Sequence, residues 1–552
     1  MMKAKGRSLI YLVLACFSGS MCFAHEATWS AFENQLASQA QLGAGDLTGE
    51  RTNRGDLAVC NLQLSLIDAE TGESLPGLIR VTDKDGVISV GGLVNRGLGL
   101  KEEHASTQWY ALPESSTISL PQKPLTIEAI SGIDSELSKQ DIDLSRKGES
   151  EVTLKLQRLH LLDQTSSYPG NTHLHLKNIN RKQADEYLQV VTQADGVDLV
   201  FVSYLLRTSE DKTYISNEYR KKDLARLSTP ATKFGFGEEH RNNFEAFGMG
   251  YGHVMLLDID ELVKPVSIGR GIMDTGPDYP NMKKGIEQAH QQDATVIWCH
   301  NDMGHEDIPN WVTEHIHAQN IFDGGNTGTY KDTFYRYLNT GLRVPFSTGT
   351  DWFMFDFSRV YAQLDKPFSE DNWLEALRAG KTFITNGPLL ELKVGDESPG
   401  GTINLAQGET RIVNAKAQGR NNFGSIEVVV NGSVVRASRS RKVNGHYEAE
   451  LVFPLHVEKP SWVALRIPET NQQNELGGEL FAHTSPVYLN VDGKGTFLKS
   501  AAESLIAEMK ESITAIGEQA LFDSSGQRSE VLDYYHQAIQ SLEDKINSNY
   551  TH

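Results

Sequence analysis

Hydrophobic and polar positions alternate in short runs over residues 56–160. The run LAVCNLQLSLID has a period of two, and the turn-rich AETGESLPG separates it from LIRVTD, with LTIEAIS and EVTLKLQRL further on. Side chains of a strand point to opposite faces in turn, so short alternating runs broken by turn residues are typical of sandwich strands. This segment is predicted to be a small β-sandwich.

Residues 161–395 show a different pattern, in which strands and helices take turns. Continuous apolar runs such as VDLVFVSYL and ATVIWCH indicate strands buried on both faces. Apolar residues with helical spacing lie between such runs, in four series: Ala184, Tyr187, Leu188 and Val191; Met282, Ile286 and Ala289; Tyr330, Phe334, Tyr337 and Leu338; Trp373, Leu374 and Leu377. This alternation predicts an α/β layer or barrel with a parallel sheet.

Residues 396–494 return to a β pattern and predict a second sandwich. SIEVVVNGSVV reads as a hairpin around Asn431-Gly432, the favoured type I′ turn, and EAELVF, WVALRI and PVYLNV supply further strands. Residues 495–552 contain two amphipathic helical series joined by DSSGQ. The short connection predicts a helical hairpin that packs back on the body.

The first residues have the features of a secretory signal. Lys3, Lys5 and Arg7 precede an apolar stretch, and Cys22-Phe23-Ala24 forms a small-x-small cleavage site. We expect residues 1–24 to be removed after Ala24, which implies a periplasmic or secreted protein. Residues 25–55 are polar and rich in glycine, and are expected to be a linker or loose arm.

Two alternatives to cleavage after Ala24 stay open. Cys16 permits a lipid anchor, although Leu14 stands where lipoproteins usually have a small residue. The apolar stretch could also be retained as an anchor. No later run of some 18 apolar residues follows, so no stable membrane span is expected after cleavage.

Net charge and cysteine content limit the classes of partner and of stabilising cross-link that are expected. Loss of three basic residues with the signal takes the net charge from −20 to −23, which disfavours nucleic acid because phosphate binding needs clusters of Lys and Arg. Only Cys60 and Cys299 lie beyond the signal, and they do not form a disulfide framework. The expected partner is a small-molecule substrate, and the sequence does not indicate an oligomeric state.

Two histidines stand one residue apart in YPGNTHLHLKN. In a strand, His173 and His175 point to the same face. Two neighbouring imidazoles repel when both are protonated, so the pair is favourable where both stay neutral and share a metal. Alone the pair is weak evidence, and an ordinary polar surface is the alternative.

Metal-ligating residue types recur where later strands begin or end. TKFGFGEEHR ends in Glu238-Glu239-His240, YGHVMLLDI begins near His253, TVIWCHND contains His300, and FSTGTDW contains Asp351. Loops at strand ends gather the active site of an α/β barrel. The sequence therefore predicts one metal centre, with ligands from His173, His175, the Glu238-Glu239-His240 end, His253, His300 and Asp351.

The order of these motifs resembles the PHP (polymerase and histidinol phosphatase) superfamily, and within it the CehA/McbA-type metallohydrolases. The family's H-x-H, G-x-E, Gly-His, strand-end His and G-[ST]-D motifs are matched in order by His173 and His175, Gly237-Glu238-Glu239, Gly252-His253, His300, and Gly349-Thr350-Asp351. The segment WLEALRAGKTFITNGPLLELKVGD also resembles the close of the CehA/McbA domain. The resemblance covers about residues 168–490. It implies a distorted (β/α)7 barrel that runs into a C-terminal sandwich, with Glu239 rather than Glu238 as the ligand of the G-x-E motif. Separately, the turn DAETGESLPG resembles carboxypeptidase-regulatory-like sandwiches. Together with the patterns above, the predicted fold class is a multidomain α/β plus all-β chain, with the barrel between two β-sandwiches and a C-terminal helical hairpin.

Two positions depart from the family pattern. Phe353 stands where many PHP proteins have a histidine, and Asn171 stands where an aspartate is common. A three-metal site of the phosphatase kind would lose a ligand, so one or two divalent ions fit better. Mixed nitrogen and oxygen ligands suit Zn, Mn or Fe without choosing among them.

The resemblance implies a metal-dependent hydrolase that uses metal-activated water on an ester, carbamate or amide bond. A PHP-type phosphoesterase is the alternative within enzymes. A non-catalytic surface or carbohydrate-binding protein is the alternative of another class. Metal-dependent hydrolysis of any model substrate would separate enzyme from binder.

Further residues are candidates around the centre. Glu239 could bridge two cations. His240 should face away in a strand, but as a loop residue it could reach the substrate. His305 and Glu306, shortly after His300, could act as acid or base or could belong to a solvated loop. Arg207 could bind a substrate anion or form a structural ion pair. Trp352 could wall the pocket or fill core.

Two other features are predicted to be structural. Cys299 adjoins His300, and strand alternation should point its side chain to the opposite face, where it packs. EHIHAQN offers a rival H-x-H in His315 and His317, but its polar flanks favour a surface segment.

Overall fold

The computed structural model describes residues 58–163, 165–244, 250–269, 276–301 and 304–550. The predicted signal and linker, with Cys16, lie outside these residues. Within them the chain is a mixed α/β structure rich in sheet, and this part of the predicted fold class is confirmed.

The first nine strands form two sheets. They are β1 (Val59–Asp68), β2 (Gly77–Asp83), β3 (Gly86–Val87), β4 (Val94–Asn95), β5 (Tyr110–Leu112), β6 (Ser115–Pro121), β7 (Pro124–Ile130), β8 (Ser138–Asp143) and β9 (Glu149–Leu156). One sheet has the order β6-β1-β9, and the other has β4-β5-β2-β7-β8 with β3 against β2. Alternate side chains such as Leu64 in β1 and Ile127 in β7 share one core between the sheets.

A curled half-barrel sheet follows. Its strands are β10 (Ser167–His175), β11 (Leu199–Leu205), β12 (Lys233–Asn242), β13 (Gly252–Leu257), β14 (Ser267–Ile268), β15 (Thr295–Cys299), β16 (Ala318–Asn320), β17 (Phe346–Ser347), β18 (Asp351–Trp352), β19 (Arg359–Gln363) and β20 (Thr382–Thr385). The helices are α1 (Arg181–Ala194), α2 (Lys221–Leu227), α3 (Met282–His290), α4 (Asp307–Val312), α5 (Arg336–Leu338) and α6 (Glu370–Arg378).

Strand direction decides which strand ends meet. β10, β11 and β12 are mutually parallel, as are β15, β16 and β17, and β10 also pairs in parallel with β18. β13 runs antiparallel to both β12 and β15. The start of β13 therefore lies beside the ends of its neighbours, so one edge of the sheet collects residues from all of them.

The predicted helical series mostly form the expected helices. The four apolar residues of the first series are buried in α1, which begins with a capping box between Asn180 and Gln183. The second and fourth series are buried in α3 and α6. The third series differs: a π-helical turn, Lys331–Tyr335, precedes the short α5, so the expected regular helix is not formed there.

The remaining strands continue the half-barrel sheet and add a small one. They are β21 (Leu389–Val394), β22 (Thr402–Leu405), β23 (Glu409–Gly419), β24 (Ser425–Val430), β25 (Ser433–Arg439), β26 (Arg441–Val443), β27 (His446–Val457), β28 (Ser461–Arg466), β29 (Ala482–Thr484) and β30 (Val487–Val491). Four strands form the sheet β21-β23-β27-β26, while β29 pairs with β20 and carries the large sheet onward. Sheet and core thus run on without a break past residue 395.

Two local predictions in this region are confirmed. Asn431 and Gly432 have φ values of 49° and 87°, as a type I′ turn requires, and they join β24 to β25. Helices α7 (Lys499–Gln519) and α8 (Ser525–Tyr550) form the predicted pair. The pair packs on the body, where the Tyr534 hydroxyl donates a hydrogen bond to Asn310 Oδ1 at 2.9 Å.

Two further findings concern the described part of the chain. No helix in it combines the length and apolar character needed to cross a membrane. Its two cysteines, Cys60 and Cys299, are buried and unbridged.

A buried ion pair joins the N-terminal sheets to the half-barrel. Arg96 Nη2 lies 2.7 Å from Asp195 Oδ2 and Arg96 Nε lies 3.0 Å from Asp195 Oδ1, and neither side chain is exposed. The same guanidinium donates to the carbonyl of Asp356 at 3.1 Å. Removing one partner would leave the other charge buried and uncompensated.

We predict that Arg96→Ala destabilises the protein by about 3–5 kcal/mol, because the Asp195 carboxylate would remain buried without its partner. Chemical denaturation followed by fluorescence measures the loss. Lys366→Ala is the control, because its ion pair with Glu375 is exposed at both ends, and its transition should not move. Equal effects of the two variants would contradict a bracing role for Arg96.

Candidate metal centre

The structure brings the six predicted metal ligands into one buried cluster at the edge where the strand ends meet. His173, His175, Glu239 and Asp351 form one set of four converging ligands. Glu239 is shared with a second set that contains His253 and His300. The centre of the first set is tight: His175 Nε2 lies 2.8 Å from Glu239 Oε2 and 2.9 Å from His173 Nε2.

The outer ring nitrogens fix how the two histidines are oriented. His175 Nδ1 lies 2.9 Å from the Ser203 carbonyl oxygen, which can only accept, so Nδ1 carries the proton. His173 Nδ1 lies 2.7 Å from Asp323 Oδ2 and donates to that carboxylate. In neutral rings both Nε2 atoms are then unprotonated and direct their lone pairs at the same point, the arrangement usual for metal-ligating histidines.

Asp351 completes this first set. Its Oδ1 lies 3.5 Å from His173 Nε2 and 3.7 Å from His175 Nε2. The same oxygen is buried and accepts no hydrogen bond from the described residues. Four acceptors that face one another repel unless a cation lies between them, so these residues fit a divalent metal ion.

The net charge of the cluster also favours a divalent cation. Three buried carboxylates, Glu239, Asp323 and Asp351, lie in the cluster, and the only guanidinium bound to them among the described residues is Arg241. With neutral histidines this leaves two negative charges in a buried site, which is costly without a counter-charge. A divalent cation supplies that charge, and the mixed nitrogen and oxygen set suits Zn, Mn or Fe.

The pKa values of Glu239 and His173 are shifted by the charges of this cluster. Burial alone would raise the pKa of Glu239, but Arg241 and the hydrogen bonds to His173 and His175 hold it well below its usual range. Burial would likewise lower the pKa of His173, but the carboxylates of Asp323 and Asp351 raise it well above its usual range. Without a metal, a proton on His173 is the nearest available positive charge.

Asp323 was missed in the sequence. It follows β16 directly, its side chain is fully buried, and besides His173 it accepts a hydrogen bond from Asn320 Nδ2 at 2.6 Å. It also lies 3.4 Å from His300 Nδ1. Since His173 offers Nε2 to the first set, Asp323 is best described as the residue that orients the ring. An aspartate at a strand end, in IFDGG, was the available signal.

The G-T-D segment is held against β10 by close backbone packing. A Cβ on Gly349 would lie 2.6 Å from the Cβ of His173, so only glycine fits there. Asn171 Oδ1 accepts hydrogen bonds from the backbone N–H groups of His173 and Thr350, and its Nδ2 donates to Thr350 Oγ1. Asn171 therefore ties the two ligand-bearing segments together. Asp351 itself has a φ of 59°, a strained conformation of the kind found at functional sites.

Phe353, at the other departure from the family pattern, points away from the cluster. Its ring packs edge-on against Tyr187, with centroids 5.7 Å apart, and lies close to Gly99. The position supplies core contacts to α1 and to the loop after β4, and no ligand.

The second set contains a guanidinium that was also missed in the sequence. Arg241 Nε lies 2.8 Å from Glu239 Oε1, and Arg241 Nη2 lies 3.3 Å from His253 Nε2. Arg241 and Glu239 are two residues apart in β12 and so share a face. Burial lowers the pKa of His253 well below its usual range, and Arg241 lowers it further. The guanidinium thus lies between two members of the second set.

Two predicted catalytic residues are not brought to the cluster. His240 is on the opposite face of β12, where Nδ1 donates to the Val266 carbonyl at 2.8 Å and Nε2 lies against Gly285. His305 stacks on Phe244 and pairs with Ser512 Oγ at 3.1 Å, and burial lowers its pKa to about 4. Their surroundings give both residues a role in packing.

Arg207 and Trp352 lie at the rim of the cluster. The Trp352 ring is 5.2 Å from the His175 ring, and Lys177 Nζ lies 3.8 Å from the Trp352 centroid. The Arg207 guanidinium is 5.3 Å from the same ring and forms an ion pair with Asp211 at 3.0 Å. The rim is therefore aromatic with two cations beside it.

Cys299 is packed in the core as expected, but its side chain lies beside His173 and not on the face opposite the cluster. Its Sγ lies 4.0 Å from His173 Nδ1. β15 ends at Cys299, so His300 lies beyond the strand and strand alternation does not place Cys299 and His300 on opposite faces. Burial raises the pKa of the thiol to about 12, so it is protonated. It lies behind His173, away from the converging Nε2 atoms.

The rival H-x-H pair does not converge. His317 Nδ1 accepts a hydrogen bond from the Val296 backbone N–H at 3.0 Å. His315 Nδ1 is within hydrogen-bond distance of Thr313 Oγ1 and the Tyr534 hydroxyl. Both residues serve structural partners, and burial lowers the pKa of His317 to about 4.

The chain was also compared with known proteins. No protein-family model matches it, and no curated protein matches its sequence.

We predict that the protein purifies with bound divalent metal and that His173→Ala/His175→Ala loses it, since two of four converging ligands are removed. Elemental analysis of the folded proteins measures the metal. His315→Ala/His317→Ala is the matched control with the same spacing: it should lose stability but keep its metal. Metal retained by the first variant would contradict the assignment.

Proposed function

We propose that the chain is a metal-dependent hydrolase that cleaves an ester, carbamate or amide bond. The observation that carries the proposal is the convergence of His173 Nε2, His175 Nε2, Glu239 and Asp351 in one buried site. With neutral histidines, this site has two uncompensated negative charges. The ordered motifs that resemble CehA/McbA-type metallohydrolases support it. In this proposal the half-barrel corresponds to the distorted PHP barrel, and secretion after cleavage at Ala24 remains a prediction from sequence.

We further propose that the centre binds one divalent ion. Glu239 presents Oε2 to the two histidines of the first set and Oε1 to Arg241. A second cation between Glu239 and His253 would be within a few ångströms of the guanidinium, where like charges repel strongly in a buried site. In this proposal Arg241 takes the place of a second metal. Glu239 then contacts the one metal through Oε2 and the guanidinium through Oε1.

The residues around the ion have separable roles. When bound, the cation supplies Lewis-acid activation of water and of the scissile bond. Asp323 and the Ser203 carbonyl keep the His173 and His175 rings in the tautomer that leaves Nε2 unprotonated. Arg241 places a fixed positive charge beside the centre, where it can stabilise negative charge that develops on a substrate oxygen.

A phosphoesterase remains the second candidate. Lys177 and Arg207 flank Trp352 at the rim, and a cationic rim suits an anionic substrate. A non-catalytic binding protein is the third candidate, and hydrolytic assays separate it from both enzymes.

We predict that the metal-loaded protein hydrolyses p-nitrophenyl acetate or a p-nitrophenyl carbamate faster than p-nitrophenyl phosphate. The His173→Ala/His175→Ala variant should be inactive, and a chelator should abolish activity that the metal then restores. Release of p-nitrophenol measures each rate. Turnover of the phosphate ester alone would favour the phosphoesterase, and no metal-dependent turnover of any of them would favour the binding protein.

The one-metal proposal has its own test. Arg241→Gln removes the guanidinium and leaves Glu239 Oε1 and His253 Nε2 open, so metal content should rise from one equivalent towards two. Arg241→Lys keeps a positive charge and is the control, with one equivalent expected. Titration with Mn²⁺ or Zn²⁺ followed by elemental analysis measures both. Two equivalents in the unaltered protein would overturn the proposal.

A further inference from the structure

A second cavity lies at the other end of the parallel strands. It has a volume of about 310 Å³, within the range of small-molecule sites. Its walls include the start of β10 and Asp198, just before β11, together with residues of the segments that follow β7 and β9, and Leu389 of β21. The ligands His173 and His175 are at the far end of β10, roughly 20 Å away at the rise of a strand. The cavity is therefore separate from the metal centre.

Aromatic and aliphatic side chains form much of the cavity wall. The rings of Tyr168 and Phe368 are stacked, with centroids 4.6 Å apart and planes 12° from parallel. The Tyr361 ring is held by stacking on Phe383 at 4.8 Å. Leu159, Leu162 and Leu389 add aliphatic surface. Such a wall suits a ligand with an apolar body and offers ring faces to a cation.

One carboxylate at this cavity lacks a partner. Asp198 lines the cavity, and its carboxylate has no hydrogen bond or ion pair with any described residue. The second carboxylate, Asp134, forms an ion pair with Arg158. These three are the charged residues of the lining, so the cavity has one net negative charge. The Tyr361 hydroxyl also has no hydrogen-bond partner in the described chain, and it interacts electrostatically with both carboxylates.

We propose that this cavity is a binding site for a small organic amine, with the ammonium group at Asp198 and the apolar body against the Tyr168, Tyr361 and leucine surfaces. An ammonium donates hydrogen bonds to a carboxylate and forms a charge-assisted pair with it. A neutral ligand would leave the charge of Asp198 unpaired, and an anion would be repelled. The site does not depend on the proposed hydrolase activity.

The electrostatics of Asp198 agree with this assignment. Burial raises its pKa to about 7, and the negative charge of Asp134 adds to the shift, while Arg359 opposes it. The charged groups that face it are Asp134, Arg158 and Arg359. An ammonium ligand binds the ionised carboxylate, so affinity should fall about tenfold from pH 8 to pH 6, as the ionised fraction falls around that pKa.

The test uses the metal-loaded full chain and two probes of equal shape, phenethylamine and 2-phenylethanol. Ligand-observed NMR titration gives each dissociation constant. We expect phenethylamine to bind with a dissociation constant below about 10 mM and at least tenfold more tightly than the alcohol. Asp198→Asn should weaken phenethylamine about tenfold, remove its pH dependence and leave the alcohol unchanged. Asp523→Asn, which changes an exposed carboxylate in the connection between α7 and α8, should change nothing.

Two further variants distinguish binding in this cavity from binding elsewhere on the protein. His173→Ala/His175→Ala should bind phenethylamine with unchanged affinity, because an amine bound at the metal centre would be lost there. Ala231 is an exposed residue of the lining, so Ala231→Trp should block the cavity at little cost to folding and abolish binding of both probes. No saturable binding of phenethylamine, or equal affinity in Asp198→Asn, or loss of binding in the double histidine variant would each overturn the proposal.

Discussion

The candidate site depends on negative charge and lone pairs that the chain buries without fully neutralising. Glu239, Asp351 and two histidine Nε2 atoms face one another out of solvent, and one guanidinium is the positive charge bound to them among the described side chains. Such a cluster is unstable as a purely protein structure, because desolvated like charges and facing acceptors repel. Its geometry is favourable once a divalent ion lies at the centre. The surrounding fold therefore has to hold these groups together before the ion binds.

That restraint comes from residues that touch the ligands from behind. Asp323 and the Ser203 carbonyl orient the two rings, and Asn171 ties the ends of β10 and the G-T-D segment to each other. The reversed direction of β13 brings His253 to an edge otherwise built from strand ends. Arg241 lies against one oxygen of Glu239 and leaves the other for the proposed metal. The proposed single-metal site follows from this division of one carboxylate between two cations.

The two ends of the half-barrel strands are used differently. The ends that carry the ligands hold a buried charged cluster, whereas the starts of β10 and β11 border a partly aromatic cavity with one unpaired carboxylate. The segments that follow β7 and β9 close one side of that cavity, and the buried pair of Arg96 and Asp195 ties the N-terminal sheets to the half-barrel. The loop after β4 packs against Phe353 through Gly99. The N-terminal segment thus contributes walls to one site and support to the other.

Periodicity in the sequence determined the mixed α/β class, helices α1, α3 and α6, the Asn431-Gly432 turn and the C-terminal helix pair, because each depends on residues near in the chain. Motif spacing also determined that His173 and His175 share a face and that Glu239, not His240, points with them. The same alternation would have placed Arg241 beside Glu239, although it was not singled out in the sequence. Tertiary structure alone decided that Asp323 joins the cluster and that His305 does not. Ligand sets form from strand ends far apart in sequence, and strand direction and loop path, which local periodicity does not encode, decide which of those ends meet.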